Sequence, residues 1–101
     1  MAEMFTQWDA VDHLRNKKDM QLYLEACADE DPDDGSLIRA ALNDFARAQN
    51  MSQLAREIGM TREGLYKALS QQGNPSFATV MRITRALGMQ LRFRHSSTLE
   101  A

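Results

Sequence analysis

The sequence predicts an all-α protein with five helices, an N-terminal helical arm and one short C-terminal β-strand. Apolar residues recur at helical spacing along most of the chain, and residues that can cap a helix precede these segments. The 101 residues suffice for one domain with a single modest core. Apolar runs do not exceed three residues, so we expect neither a membrane-spanning helix nor a secretory leader.

The acidic run from Asp29 to Gly35 separates two helical patterns, because it holds no apolar residue and contains both Pro and Gly. Upstream of it, Asp19 is the predicted cap of a helix. We expect an extended stretch at Phe5 to Gln7 and one or two helical turns from Asp9 before that helix. The apolar stripe of the capped helix consists of Met20, Tyr23, Leu24 and Cys27.

The helix after the acidic run is predicted to begin at Ser36, and its apolar face is continuous. We expect it to end near Asn50, since Asn tolerates the left-handed conformation common at helix ends. The last helix is predicted to begin at Ser76, its cap, and to stop at Gly88. It follows a loop formed by Gly73, Asn74 and Pro75.

Between these helices, Met51 to Ser70 has the pattern of a helix-turn-helix unit, which is two short helices joined by a tight turn that contains Gly. Ser52 and Thr61 are the predicted caps, and Gly59 lies at the turn, where a positive φ favours Gly. Ala55 is small where the two helices cross. Further positions that pack the pair are apolar, namely Ile58, Leu65, Ala68 and Leu69. A plain helical bundle does not require this agreement, so we favour the helix-turn-helix.

The segment from Met89 to Arg94 alternates apolar and polar residues with the two-residue period of a half-buried β-strand. A single strand needs a partner for its backbone groups. The pattern leaves three partners open: the Phe5 region, a second copy of the chain, and another protein.

A helix-turn-helix unit binds double-stranded DNA by placing its second helix in the major groove. Polar residues on the outward side of that helix can hydrogen-bond base edges. The predicted base contacts are Thr61, Arg62, Glu63, Tyr66 and Lys67. Exposed amides at helix starts and nearby polar side chains bind phosphates. The predicted phosphate contacts are Ser52, Gln53, Arg56, Asn74 and Ser76. One such module reads few base pairs, so we expect a homodimer on a palindromic operator.

The formal charge of −2 is divided unevenly along the chain. Met1 to Gly35 carries three basic and ten acidic residues, whereas Ser36 to Ala101 carries nine basic and four acidic residues. The basic part contains the predicted DNA-binding unit, and the acidic part is complementary to a cationic protein. The acidic residues are equally compatible with a solvated linker.

The segment from Met51 to Phe93 resembles the helix-turn-helix of the Cro/repressor (XRE) class and, more closely, the HigA-like addiction-module antidote proteins. The most specific parts are REGLYKALS, GNPSFATV and the N-terminal WDAVDHL. The resemblance extends from about Phe5 to Phe93 and implies a lambda-repressor-like fold. It also implies a type II antitoxin that neutralises a RelE/ParE-like toxin, a small basic protein, and represses the operon that encodes both.

The resemblance leaves two alternatives open, which are a stand-alone XRE-type transcriptional regulator without a toxin and an interaction module that no longer binds DNA. On either reading the chain divides into three parts. We expect an acidic arm over 1–35, with one or two helices and a candidate toxin contact. The helix-turn-helix domain with the strand follows over 36–95, and a flexible tail over 96–101.

The sequence gives no indication of an enzyme, a metal site or a cofactor. Cys27, His13 and His95 are each isolated from other candidate catalytic or ligating residues. The cluster from Asp29 to Asp34 lacks the spacing and the distal Glu of an EF-hand calcium loop. A single Cys excludes an internal disulfide and fits a reducing compartment, so we expect a cytoplasmic protein.

Overall fold

The computed structural model describes residues 16–95 of the chain. These residues form five helices and no β-strand. The helices are α1 (Lys17–Glu30), α2 (Ser36–Gln49), α3 (Met51–Glu57), α4 (Arg62–Ala68) and α5 (Phe77–Ala86). The prediction of an all-α protein is therefore confirmed for this part of the chain. The expected extended stretch at Phe5 to Gln7, the turns from Asp9 and the tail over 96–101 lie outside the described residues. None of the helices within 16–95 is both long and apolar enough to cross a membrane.

Two helices begin earlier than the sequence pattern predicts. Asn16, and not Asp19, caps α1, because its side-chain oxygen accepts two amides of the first turn at 2.9 and 3.2 Å. Asn50, and not Ser52, caps α3 by accepting an amide of the first turn at 3.1 Å. With φ 144° and ψ 102°, Asn50 also ends α2, so one residue separates the two helices.

The other predicted helix ends are confirmed. Thr61 and Ser76 cap α4 and α5, and each side-chain oxygen accepts the amide three residues ahead, at 2.9 and 3.1 Å respectively. Gly59 and Gly88 have φ of 78° and 81°, the left-handed conformation that favours Gly. The short turns of this fold therefore follow local rules that the sequence displays.

The start of α2 is capped by a residue of the preceding loop. Its N-cap residue is Gly35, which has no side chain to offer. Asp31 takes over this role from the preceding loop. Its Oδ1 accepts the Leu37 amide at 2.8 Å, and its Oδ2 accepts the amides of Asp34 and Gly35 at 2.9 and 2.8 Å. Desolvation raises the pKa of Asp31, but the backbone donors together outweigh it and hold the pKa below its ordinary value of 3.8.

One hydrophobic core joins all five helices. Phe45 of α2 is completely buried, and Met20 of α1, Leu65 of α4 and Ile83 of α5 are at most 1% exposed. The other buried apolar residues are Ala41, Leu42, Ala46, Met51, Leu54, Ala55, Ile58, Leu69 and Leu87. The ring of Tyr23 packs edge-on against Phe45, with centroids 5.9 Å apart. The predicted stripe of α1 is thus the face that packs on α2, with Leu24 and Cys27 partly buried beside it.

The predicted strand from Met89 to Arg94 is not formed within the described part of the chain. Residues 89–95 have no regular secondary structure, and Leu91 and Phe93 are 43% and 85% exposed. The physical reason is that residues 16–95 supply no second strand to hydrogen-bond with this segment.

We predict that Asp31→Asn lowers the melting temperature and that Asp33→Asn leaves it nearly unchanged. Asn at position 31 places an NH₂ donor against backbone N–H groups that now donate to the Asp31 carboxylate. Asp33, in contrast, is exposed, and its positive φ of 69° is also suited to Asn. Thermal denaturation followed by circular dichroism at pH 7 measures both effects.

The pH dependence gives this prediction a second readout. Because the pKa of folded Asp31 lies below 3.8, its stabilising contribution is present above that pH and is lost as the pH falls through the folded pKa. The difference in melting temperature between the wild type and Asp31→Asn should therefore shrink in acid. Equal melting temperatures for Asp31→Asn and Asp33→Asn at pH 7 would contradict the assigned role.

Candidate nucleic-acid interface

The candidate interface is built on α3 and α4, which pack against each other through small and apolar residues. Ala55 of α3 and Leu65 of α4 are at most 1% exposed. Residues 58–61 join the helices, and the Met60 amide donates to the Ala55 carbonyl at 2.8 Å, which closes the turn around Gly59. Ile58 is buried beneath this turn. The side chains on the opposite side of α4 are therefore held at a defined position relative to α3.

The five residues predicted to contact bases are all exposed, at the start and along the outer side of α4. They are Thr61, Arg62, Glu63, Tyr66 and Lys67. The last four line one shallow hollow of about 590 Å³. Thr61 uses its hydroxyl oxygen to cap α4, and its neighbour Gly64 leaves room for this bond, since an added Cβ would lie 3.0 Å from that oxygen. The helix thus presents two cations, one carboxylate and one phenol on one surface.

A second hollow, of about 280 Å³, brings α4 together with the α2–α3 junction. Arg62 and Tyr66 line it from α4, and Ser52 lines it from the first turn of α3. Arg47, in the last turn of α2, lines it as well. One predicted phosphate contact therefore lies beside two predicted base contacts. Sequence reasoning missed Arg47, although its place directly after the core residue Ala46 in a capped helix would have indicated an outward position.

The other predicted phosphate contacts are exposed, but they line neither of these two hollows. Gln53 and Arg56 lie on α3, and the Gln53 carboxamide donates to the Glu57 carboxylate at 3.5 Å. Asn74 and Ser76 precede α5, and the Ser76 hydroxyl bonds to Thr79. The structure therefore divides the predicted site into residues that line the hollows at α4, residues elsewhere on α3, and residues before α5.

Arg39 of α2 fixes the loop that leads to the start of α5. Its guanidinium donates to the carbonyl oxygens of Gln71 at 2.8 Å and Gly73 at 3.2 Å. Gly73 in turn packs so closely on the end of α4 that an added Cβ would clash with the carbonyl oxygens of Lys67 and Ala68. Asn74 therefore follows a segment whose backbone is fixed by Arg39 on one side and by the end of α4 on the other. Sequence reasoning did not identify Arg39.

Residues 16–95 contain no group of three or more His, Cys, Asp or Glu side chains placed to hold a metal ion. Cys27 is a free thiol. Burial, followed by the nearby Asp44 and Glu30 carboxylates, raises the pKa of this thiol, which disfavours the reactive thiolate.

The chain is similar to known proteins over nearly its whole length. A family model described as "Probable addiction module antidote protein" matches residues 4–95. A protein of Haemophilus influenzae (strain ATCC 51907 / DSM 11121 / KW20 / Rd), described as "Uncharacterized protein", is 49% identical over 96 residues. That alignment covers 95% of this chain and 97% of the relative. No solved structure matches the chain.

We predict that Arg39→Lys loosens the loop before α5. A lysine ammonium lacks the planar fork of donors with which the guanidinium binds both carbonyls, and losing one charged hydrogen bond costs about 1.5 to 3 kcal/mol of stability. Hydrogen exchange should become faster at the Gly73 amide, which donates to the Ser70 carbonyl at 2.8 Å. Arg82→Lys, at an exposed position of α5, is the matched control. Unchanged exchange at Gly73 in Arg39→Lys would show that the loop is held by other contacts.

Proposed function

Because the chain belongs to the family of probable addiction module antidote proteins, we propose that it is the antitoxin of a type II toxin–antitoxin pair. Membership of this family implies a toxin as partner. In our proposal the toxin is a small basic protein of the RelE/ParE type. The antitoxin also represses its own operon as a homodimer bound to a palindromic DNA site. In that reading α3 and α4 form a helix-turn-helix unit, and α4 enters the major groove.

The observation that carries the DNA-binding proposal is the convergence of Arg62 and Tyr66 of α4 with Ser52 and Arg47 beside the start of α3. In a helix-turn-helix complex the second helix reads bases while the start of the first helix lies at the phosphate backbone. Arg62 as a base-reading residue, beside the Ser52 hydroxyl and the Arg47 guanidinium as phosphate contacts, fits that arrangement. The Thr61 cap fixes where α4 begins, and it thereby fixes the direction of Arg62.

Each side chain has a role that its chemistry permits. The Arg62 guanidinium can donate two hydrogen bonds to O6 and N7 of a guanine. The Glu63 carboxylate can accept from the amino group of a cytosine. Tyr66 and Lys67 reach bases or phosphates from the same face, and Thr61 contacts the adjacent base or phosphate. Phosphates are also bound by polar and basic residues around the unit, namely Arg47, Ser52, Gln53, Arg56, Asn74 and Ser76.

The toxin-binding part of the proposal concerns the acidic end of α1 and the loop that follows. Asp31 and Asp34 accept backbone amides of that loop and of the first residues of α2, so their carboxylates maintain the loop and the helix start. Asp29, Glu30 and Asp33 are exposed. Their charges are complementary to a basic toxin, and such complementarity mainly determines partner choice and the rate of association.

We predict that Arg62→Ala weakens binding to the operator upstream of the gene by about 1 to 3 kcal/mol and relaxes its sequence preference. Arg85→Ala removes the same charge from α5 outside both hollows at α4, and it should bind nearly as the wild type does. Mobility shifts with operator and scrambled DNA, repeated at several salt concentrations, measure both effects. The DNA-binding proposal fails if the wild type shifts neither DNA at low salt, or if the two variants lose affinity equally.

We predict that the double substitution Asp29→Lys and Glu30→Lys weakens toxin binding and leaves operator binding intact. It reverses two exposed charges without touching the Asp31 cap. Glu57→Lys on α3 adds positive charge outside the acidic segment and serves as the control for toxin affinity alone, because Glu57 accepts a hydrogen bond from Gln53. Calorimetric titration against the protein encoded by the adjacent gene gives the affinities. Toxin affinity that is unchanged by the double substitution would exclude this segment as the contact.

A further inference from the structure

A cleft lies between α1 and the segment that follows α5. Its volume is about 670 Å³, within the range of about 300 to 1,000 Å³ that pockets for sizeable ligands have. Leu24 lines the cleft from α1, and Met89 and Leu91 line it from the opposite side. Leu91 remains 43% exposed. The cleft is therefore an apolar surface that residues 16–95 leave partly uncovered.

Charged side chains surround this apolar surface, and most of them are cations. Lys17 and Lys18 line the cleft at the first turn of α1, and Arg92 lines it from the segment after α5. Glu25 is the acidic residue among the lining side chains. An occupant that is both apolar and acidic therefore fits this cleft best.

The chain itself has such a segment at the right place. Residues 1–15 end at Arg15, and only Asn16 separates them from the two lysines that line the cleft. The apolar residues of the segment include Met4, Phe5, Trp8, Val11 and Leu14. Its charged side chains are Glu3, Asp9, Asp12 and Arg15, a net charge of −2. At about 3.3 Å per extended residue the segment spans roughly 50 Å, and the longest extent of the molecule is 46 Å, so it can reach any part of the cleft.

We propose that residues 1–15 occupy this cleft in the isolated chain. Trp8 then packs against Leu24 and Leu91 and is shielded from solvent. A polar small molecule is a poorer match. Among residues 16–95, the buried side-chain atoms without a hydrogen-bond partner are Arg39 Nε and Asn43 Oδ1, and neither residue lines the cleft. The inference rests on the exposed apolar lining and the charges of the cleft, and it does not depend on the proposed antitoxin function.

The test uses Trp8, which is the single Trp of the chain, so that tryptophan fluorescence reports on this segment alone. In the folded full-length protein its emission should be blue-shifted, and acrylamide should quench it several-fold less than in the guanidinium-unfolded protein. Leu91→Glu places a carboxylate in the cleft and should return both values towards those of the unfolded protein. Phe77→Glu changes another exposed apolar residue, on α5 and outside the cleft lining, and should leave both unchanged. Circular dichroism verifies that each variant is folded.

A second pair of variants keeps the test decisive if Leu91→Glu fails to fold. Arg92→Glu should weaken the shielding of Trp8 because it repels the acidic segment, whereas Arg82→Glu, at an exposed position of α5, should not. Trp8 that is as accessible in the folded protein as in the unfolded one overturns the proposal. Shielding that disappears on dilution together with a dimer assigns the cleft to the segment of a second copy. Shielding that requires added toxin assigns it to the complex, and either result also overturns the proposal.

Discussion

The burial of one face of α2 is the constraint on which the other elements depend. Its residues Ala41, Leu42, Phe45 and Ala46 are at most 1% exposed, and Phe45 is completely enclosed. The helices α1 and α3 pack directly on α2, and α4 and α5 pack on α3. Burial of this much apolar surface is the dominant favourable term in folding a chain of this size. The helices α1 and α3 are therefore positioned directly by α2, and α4 and α5 are positioned through α3.

The polar side of α2 connects the same helix to the rest of the molecule. Asp31 fixes its beginning, Arg39 holds the loop before α5, and Arg47 with Asn50 adjoins the hollow at α4. The candidate interface thus combines residues from α2, α3 and α4. A binding surface assembled from several rigid helices keeps its geometry without a ligand, which lowers the entropy cost of binding.

The acidic run has a structural role as well as a proposed binding role. From composition alone, all carboxylates of this run would be assigned the same role. In the structure Asp31 and Asp34 accept backbone amides, and the pKa of each lies below its ordinary value, whereas Asp29 and Glu30 are exposed. The change in net charge at Gly35 is visible in the sequence, but the hydrophobic core does not divide there. Met20 before Gly35 and Phe45 after it belong to the same core.

The sequence by itself determined the helices and the caps at Thr61 and Ser76, because helical periodicity and capping depend on residues within about four positions. The candidate base contacts that the sequence predicts are all exposed at the start and along the outer side of α4. The cap of α2 by Asp31 is also a short-range feature, and the sequence pattern did not reveal it. Only the tertiary structure decided that Arg39 bonds to Gln71 across 32 positions and that Arg47 lies beside Arg62. The alternation from Met89 to Arg94 shows two faces but supplies no hydrogen-bonding partner, so the strand predicted there is not formed within residues 16–95. Contacts between distant residues exist only after the chain has buried its core, and no local pattern encodes them.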